Sequence, residues 1–263
     1  MTSSQKKPLA LVTGASSGIG LELARQFGQN GFDLVIAAED PGLSGAAAEL
    51  RQTGAEVQPV QVDLRTPEGV SQLYSAATAA GRSLDAVALN AGVGRGGAFI
   101  DTPLADEQDI IDLNVTSTVH LAKLVLKDMA ARNEGKVLIT SSIASTMPGS
   151  FQAVYNASKS FLQSFAEAVQ EELKDTGVTI TSLMPGPTET NFFSRAVMDH
   201  TPIGRGKKDD PAQVAAQGFA ALMDGKNKIV GGSLMTKAQK AVGDVVPDKV
   251  KAVMHRQMAE PKD

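Results

Sequence analysis

Thr13-Gly14-Ala15-Ser16-Ser17-Gly18-Ile19-Gly20 is the stretch that sets the fold. It follows the apolar run Leu9–Thr13 and leads at once into a helical pattern with Ile19, Leu23 and Phe27 on one face. Gly14 lets the chain turn sharply. Gly18 leaves room for backbone to approach a pyrophosphate, and Gly20 lets the helix pack closely on the sheet. The free N–H groups at the helix start then offer a partial positive charge to phosphate. Glycine and serine also collect in ordinary turns, but a strand before and a helix after is the context that phosphate binding requires.

Outward from this turn, short β-branched runs alternate with longer amphipathic stretches. Strands are expected at Leu9–Thr13, Leu34–Ala38, Val57–Gln61, Ala86–Leu89, Lys136–Ser141, Thr179–Met184 and Ile229–Val230. Several are continuously apolar, as parallel strands covered on both faces must be. Helices are expected over Ile19–Phe27, Gln108–Ala131 and Val154–Leu173. The alternation predicts an α/β fold, a doubly wound parallel sheet forming one domain over residues 1–263. The stretch at 187–210 carries Phe192, Phe193, Val197, Met198 and Ile203. It reads as a mobile substrate lid, because loops this long are seldom idle. Val242, Val245, Val246, Val250, Val253 and Met254 predict one or two further helices in a C-terminal extension over 233–263.

Composition narrows the function classes. Basic and acidic side chains number 25 and 29, a net charge of −4, so no basic surface invites nucleic acid. The absence of cysteine excludes disulfides, thiolate metal sites and a catalytic thiol. His120, His200 and His255 lie too far apart in sequence to suggest a metal site. Met1 to Lys7 is polar and lacks the apolar core of a secretory signal, and no apolar run is long enough to span a bilayer. A cytoplasmic protein without membrane attachment is expected.

The pattern Thr-Gly-x-x-x-Gly-x-Gly resembles that of the short-chain dehydrogenases/reductases. Further segments agree in order: Asn90-Ala91-Gly92, Asn114, Ser142, Tyr155-Asn156-Ala157-Ser158-Lys159 and Pro185-Gly186. The likeness is close from about Leu9 to Thr190 and poor beyond Gly231. It implies a Rossmann-type sheet and hydride transfer between a nicotinamide dinucleotide and a small carbonyl or alcohol substrate. By resemblance Tyr155 is the acid/base, Lys159 lowers its pKa and holds the ribose hydroxyls, Ser142 fixes the substrate oxygen, and Asn114 helps hold a water linking Lys159 to solvent. The cofactor would lie along Gly14, Ser16, Ser17, Gly18, Ile19, Gly20, Asp63, Leu64, Asn90, Ala91, Gly92, Pro185, Gly186, Thr188 and Thr190. The helices at Gln108–Ala131 and around Tyr155 resemble the family's dimer bundle, implying a homodimer or homotetramer.

Chemistry supports the pairing. Tyr155 and Lys159 are four residues apart and share a helix face. Phenol is a poor base at neutral pH, and a nearby ammonium or oxidised nicotinamide favours phenolate. Taken singly, Ser142 could be a helix cap and Asn114 a core bridge. Met147, Phe151 and Val93 are candidates for the pocket wall, and the apolar lid hints at a partly apolar substrate. The cofactor is NAD or NADP. Glu39, nineteen residues after Gly20, would repel a 2′-phosphate with help from Asp40, which favours NAD. Were NADP preferred, Arg65 would be the residue to hold the phosphate. The competing readings are a catalytically silent dinucleotide-binding regulatory module and an epimerase or dehydratase. Intact Tyr155 and Lys159 speak against the first, and the lack of a larger C-terminal domain against the second.

Overall fold

A computed structural model describes residues 6–79 and 81–261, without the side chains of residues 239 and 241–245. Met1 to Gln5 of the polar start, and the side chains of Val242 and Val245, thus lie outside the described residues. Seven parallel strands are found among them: β1 (Leu9–Thr13), β2 (Asp33–Ala38), β3 (Val57–Gln61), β4 (Ala86–Leu89), β5 (Gly135–Thr140), β6 (Val178–Pro185) and β7 (Lys228–Gly231). They form one sheet in the order β3-β2-β1-β4-β5-β6-β7. Leu11 stands opposite Val35 on one side and Val87 on the other. The order reverses between β1 and β4, so the helices leave in opposite directions there and open a crevice at the strands' carboxyl ends.

The helices are α1 (Gly18–Gln29), α2 (Leu43–Leu50), α3 (Pro67–Thr78), α4 (Leu104–Ile110), α5 (Ser117–Arg132), α6 (Ala153–Glu172), α7 (Phe192–Arg195), α8 (Pro202–Arg205), α9 (Pro211–Met223), α10 (Leu234–Val245) and α11 (Asp248–Ala259). Alternation along β1 splits the core. Leu9 and Leu11 pack with α3, α5 and α6 on one face, while Ala10 and Val12 pack with α1, α2 and α9 on the other. Every residue of β1 and β2 is buried, which explains their unbroken apolar runs.

Strand expectations hold to within one residue at each end. The helix expected over Gln108–Ala131 begins earlier, at Leu104, and is interrupted. One π-helical turn, Ile111–Thr116, separates α4 from α5. Its cause is tertiary: Asn114 within the turn bonds the backbone of Val93, and such bulges gather at functional sites. In the stretch at 187–210, α7 and α8 are short, and Phe193, Ala196 and Met198 form a small core with Ala259 of α11. The C-terminal extension supplies two helices, α10 and α11. No helix among the described residues is long and apolar enough to cross a membrane.

Phe27 anchors α1. Its ring meets Phe32 at 5.2 Å and Phe219 at 5.1 Å, both edge-on, and it is fully buried. Phe27→Ala should therefore destabilise the protein by about 3–5 kcal/mol, read from urea unfolding. A loss below ~1 kcal/mol would mean that α1 repacks without this ring.

Candidate active site and dinucleotide crevice

The turn after β1 is built around its glycines. Gly14 and Gly18 hold φ of +66° and +58°, a region that side chains seldom adopt. A Cβ on Gly20 would lie 2.1 Å from the Gly14 carbonyl oxygen. Ser17 precedes α1 without a side-chain capping bond, so the first N–H groups of this helix face the crevice uncapped. An anion such as a pyrophosphate suits that end.

A chain of hydrogen bonds runs across the strand ends. The Thr13 hydroxyl accepts from the Asn90 and Ala91 N–H groups at 2.9 and 3.0 Å. The Thr140 hydroxyl donates to Asn90 Oδ1 at 3.1 Å. Lys159 Nζ donates to the Thr140 carbonyl at 3.0 Å. The glycine turn, Asn90 and Lys159 are thereby held in one frame.

At the far side, Ser16 donates to Asp40 Oδ2 at 2.5 Å, tying the turn to the end of β2. Glu39 is not a free carboxylate. Arg65 grips both its oxygens, one at 2.9 Å, and also reaches Asp63 at 3.1 Å. The Glu39 bond raises the Arg65 pKa further, so that cation is permanent. Asp63 does not cap a helix; Thr66 caps α3.

Ser142, Tyr155 and Lys159 converge at the end of β5 and the start of α6. Ser142 serves two purposes. It caps the short 3₁₀ turn Ile143–Thr146 by accepting from Ala144 N at 3.1 Å, and its own hydroxyl donates to the Pro185 carbonyl at 3.4 Å. Lys159, buried, sits with Nζ 5.9 Å from the centre of the Tyr155 ring. Burial pushes the Tyr155 pKa up to about 12, and the neighbouring Ser142 hydroxyl pulls the other way. Burial also takes the Lys159 ammonium down to about 8. In the protein alone, Tyr155 is thus a firmly protonated phenol.

One cavity of about 970 Å³ joins these parts, and every expected cofactor residue and Ser142 lines it. Asn114 alone stands behind the wall. It accepts from Val93 N, donates to Val93 O and donates to Ser158 Oγ, at 2.9, 2.9 and 3.0 Å. Its core-bridging role is therefore real, and it also aims Oδ1 at Gly92, where a Cβ would come 3.0 Å from that oxygen and 3.3 Å from Lys159 Nζ. Val93 and Met147 line the cavity. Phe151 does not; it packs under Arg256, whose guanidinium stands 5.6 Å from its ring centre. Phe192 packs beside Tyr155, their ring centres 5.1 Å apart.

Sequence reasoning missed several wall residues. Gln152, buried and without a side-chain partner among the described residues, lines the cavity one helical turn before Tyr155. Lys251, Met254, His255 and Met258 of α11 line it too. Their spacing of three, one and three residues marks one helix face, a signal present in the sequence. No cluster suited to a metal ion occurs among the described residues.

Residues 8–200 match the family described as short chain dehydrogenase. The chain belongs to that family. An "Uncharacterized oxidoreductase" of Myxococcus xanthus is 35% identical over 190 residues, covering 70% of this chain and 75% of the relative. A 3-oxoacyl-(acyl-carrier-protein) reductase of Synechocystis is 29% identical, covering 86% and 96%. A short-chain dehydrogenase from Burkholderia phymatum, solved with NAD, superposes with a TM-score of 0.83 at 24% identity over 98% and 97% of the two chains. Another from Sphingobium yanoikuyae, solved with NADPH, gives 0.80 at 24% identity over 91% and 96%. This short-chain dehydrogenase is an oxidoreductase that passes a hydride between a nicotinamide dinucleotide and a carbonyl or alcohol.

Gly20→Ala forces a methyl group onto the Gly14 carbonyl. Stability should drop by about 1–3 kcal/mol, the usual cost of overpacking, and dinucleotide affinity should fall with it. Denaturant melts and NADH fluorescence titration check both. Wild-type values in each would show that the turn yields without harm.

Proposed function

We propose that Tyr155 is the proton donor and acceptor of the reaction, with Ser142 and Lys159 as its partners. The observation that carries this reading is the convergence of the three at one end of a cavity whose other end is the glycine turn. A bound nicotinamide supplies or receives the hydride. Ser142 orients the carbonyl oxygen through its hydroxyl. Tyr155 gives its proton to that oxygen as negative charge develops there, and takes it back when an alcohol is oxidised. A phenol held near pKa 12 in the protein alone suits reduction. Oxidation needs it lowered, and the positive charge of an oxidised nicotinamide acts in that sense. Lys159 binds the ribose hydroxyls, and Asn114 positions the lysine from behind.

The same reading assigns the dinucleotide to the glycine turn, with Asn90, Ala91 and Gly92 beneath it and Pro185, Gly186, Thr188 and Thr190 alongside. It treats residues 1–263 as one domain. NAD is the preferred cofactor. Glu39, Asp40 and Asp63 bring three negative charges to the adenosine end against the one positive charge of Arg65. Arg65 is occupied by two of them, which leaves a 2′-phosphate facing excess negative charge. The substrate is partly apolar, since Met147, Phe192, Phe193 and Ile203 wall the cavity beyond Tyr155. Exposed Ile111 and Phe161, together with Phe99, Ile100 and Leu104, support assembly into a homodimer or homotetramer through α4 to α6.

Tyr155→Phe keeps the ring and removes only the proton. Turnover of a responsive ketone should fall by at least ~10²-fold while dinucleotide binding persists. Turnover near wild type would end the assignment. For the cofactor, wild type should bind NAD more tightly than NADP, and Glu39→Arg should shift preference towards NADP by offering a guanidinium and freeing Arg65. Dissociation constants of both nucleotides for both proteins decide the matter. A wild type that prefers NADP would mean that Arg65 leaves Glu39 for the phosphate.

A further inference from the structure

His255 belongs to α11 and is 3% exposed. Its Nδ1 lies 2.8 Å from the Ser150 carbonyl oxygen. A carbonyl can only accept, so Nδ1 carries the proton of the neutral ring. Burial lowers the imidazole pKa, so the ring is neutral at neutral pH and Nε2 is a bare acceptor. No group of the protein donates to Nε2 among the described residues. Nor is this nitrogen sealed in the interior: it is absent from the fully enclosed unpaired atoms, and His255 lines the cavity that Tyr155 shares.

The position of the ring is fixed. Ser150 Oγ donates to the Ala252 carbonyl at 3.1 Å, and Lys251 Nζ donates to the Thr146 carbonyl at 3.1 Å. Both contacts bind α11 to the segment between Ser142 and α6. The surrounding wall is apolar, with Met147, Met254 and Met258 on it. Lys251 also lines the cavity, but Asp248 pairs with it at 3.1 Å, so an anion gains little there. A bare acceptor in an apolar wall is unfavourable until a donor arrives.

We propose that His255 Nε2 is a second recognition point in the substrate cavity, accepting a hydrogen bond from a hydroxyl that the substrate carries away from its reacting carbonyl. The substrate class is then a hydroxylated, otherwise apolar ketone, or the corresponding diol in the reverse direction. This inference rests on the reading that the cavity beyond Tyr155 takes the carbonyl substrate.

Medium-chain 2-alkanones and their ω-hydroxy counterparts, matched across a series of lengths, are the probes. Wild type should favour the hydroxylated member at one or more lengths, about threefold to tenfold in kcat/KM and mainly through KM, as one neutral hydrogen bond allows. His255→Asn retains an amide N–H near the Ser150 carbonyl and removes the group at Nε2. It should erase the preference. Nitrogen-15 NMR of the three histidines, in wild type with dinucleotide bound, gives a readout without turnover. The Nε2 resonance of His255 should carry no proton and should shift with the hydroxyalkanone but not with the plain alkanone. The same preference in His255→Asn, no preference at any length, or an unmoved Nε2 resonance would overturn the proposal. Failure to reduce any alkanone with either dinucleotide would instead overturn the reading of Tyr155 as the proton donor for a carbonyl in this cavity, leaving the NMR result to judge His255.

Discussion

The hydrogen-bonded frame from Thr13 through Asn90 and Thr140 to Lys159 is the constraint on which the rest of the site depends. It crosses β1, β4 and β5 at their carboxyl ends, where parallel strands stop and their backbone groups lack ladder partners. Thr13 fills that gap by accepting two backbone N–H groups and donating to the Ala88 carbonyl at 3.4 Å. Each such bond contributes only about 1 kcal/mol. Their greater effect is geometric, since they set the glycine turn and Lys159 at a fixed separation. A buried ammonium is itself costly, and its pKa of about 8 records that cost. The frame holds it there through the Thr140 carbonyl, which accepts from Nζ at 3.0 Å.

Above this rigid floor lies a roof of different character. The stretch at 187–210 and α11 meet in a small cluster of Phe193, Ala196, Met198 and Ala259, separate from the two large cores. Two residues nearby adopt left-handed backbone: Phe151 at φ 64° and Val197 at φ 57°. For a β-branched valine this is a costly conformation, of order 1–3 kcal/mol. The loop at Gly96, whose N–H donates to the Ala196 carbonyl at 2.9 Å, ties that stretch down beside it. Strain and thin packing thus gather over the Tyr155 end of the cavity, while the glycine-turn end is built into the sheet.

What the sequence discloses and what it hides follows from the range of each interaction. The glycine turn, the strands and the Tyr155–Lys159 pair are local patterns, and each appears where expected. The π turn at Ile111–Thr116 was not legible, because it depends on Asn114 meeting Val93, twenty-one residues away in sequence. The pairing of Arg65 with Glu39 was hidden for the same reason: two loops become neighbours only because β2 and β3 are adjacent. The face of α11 was written in its spacing, yet nothing local says which cavity that face would meet. Ser142 and Asn114 teach a further point. The structural roles that sequence logic set against function, capping and bridging, are both observed, and they coexist with positions in the site.

The claim that Tyr155 is a proton-transfer group governed by its surroundings has a direct spectroscopic test. The chain has two tyrosines, Tyr74 and Tyr155, so Tyr74→Phe leaves Tyr155 as the sole source of phenolate absorbance. Its titration should be followed in the ultraviolet, first without ligand and then with saturating oxidised dinucleotide. The account predicts a midpoint near 12 in the free protein and a clear downward shift when the positively charged nicotinamide is bound. An identical titration with and without the dinucleotide would contradict it.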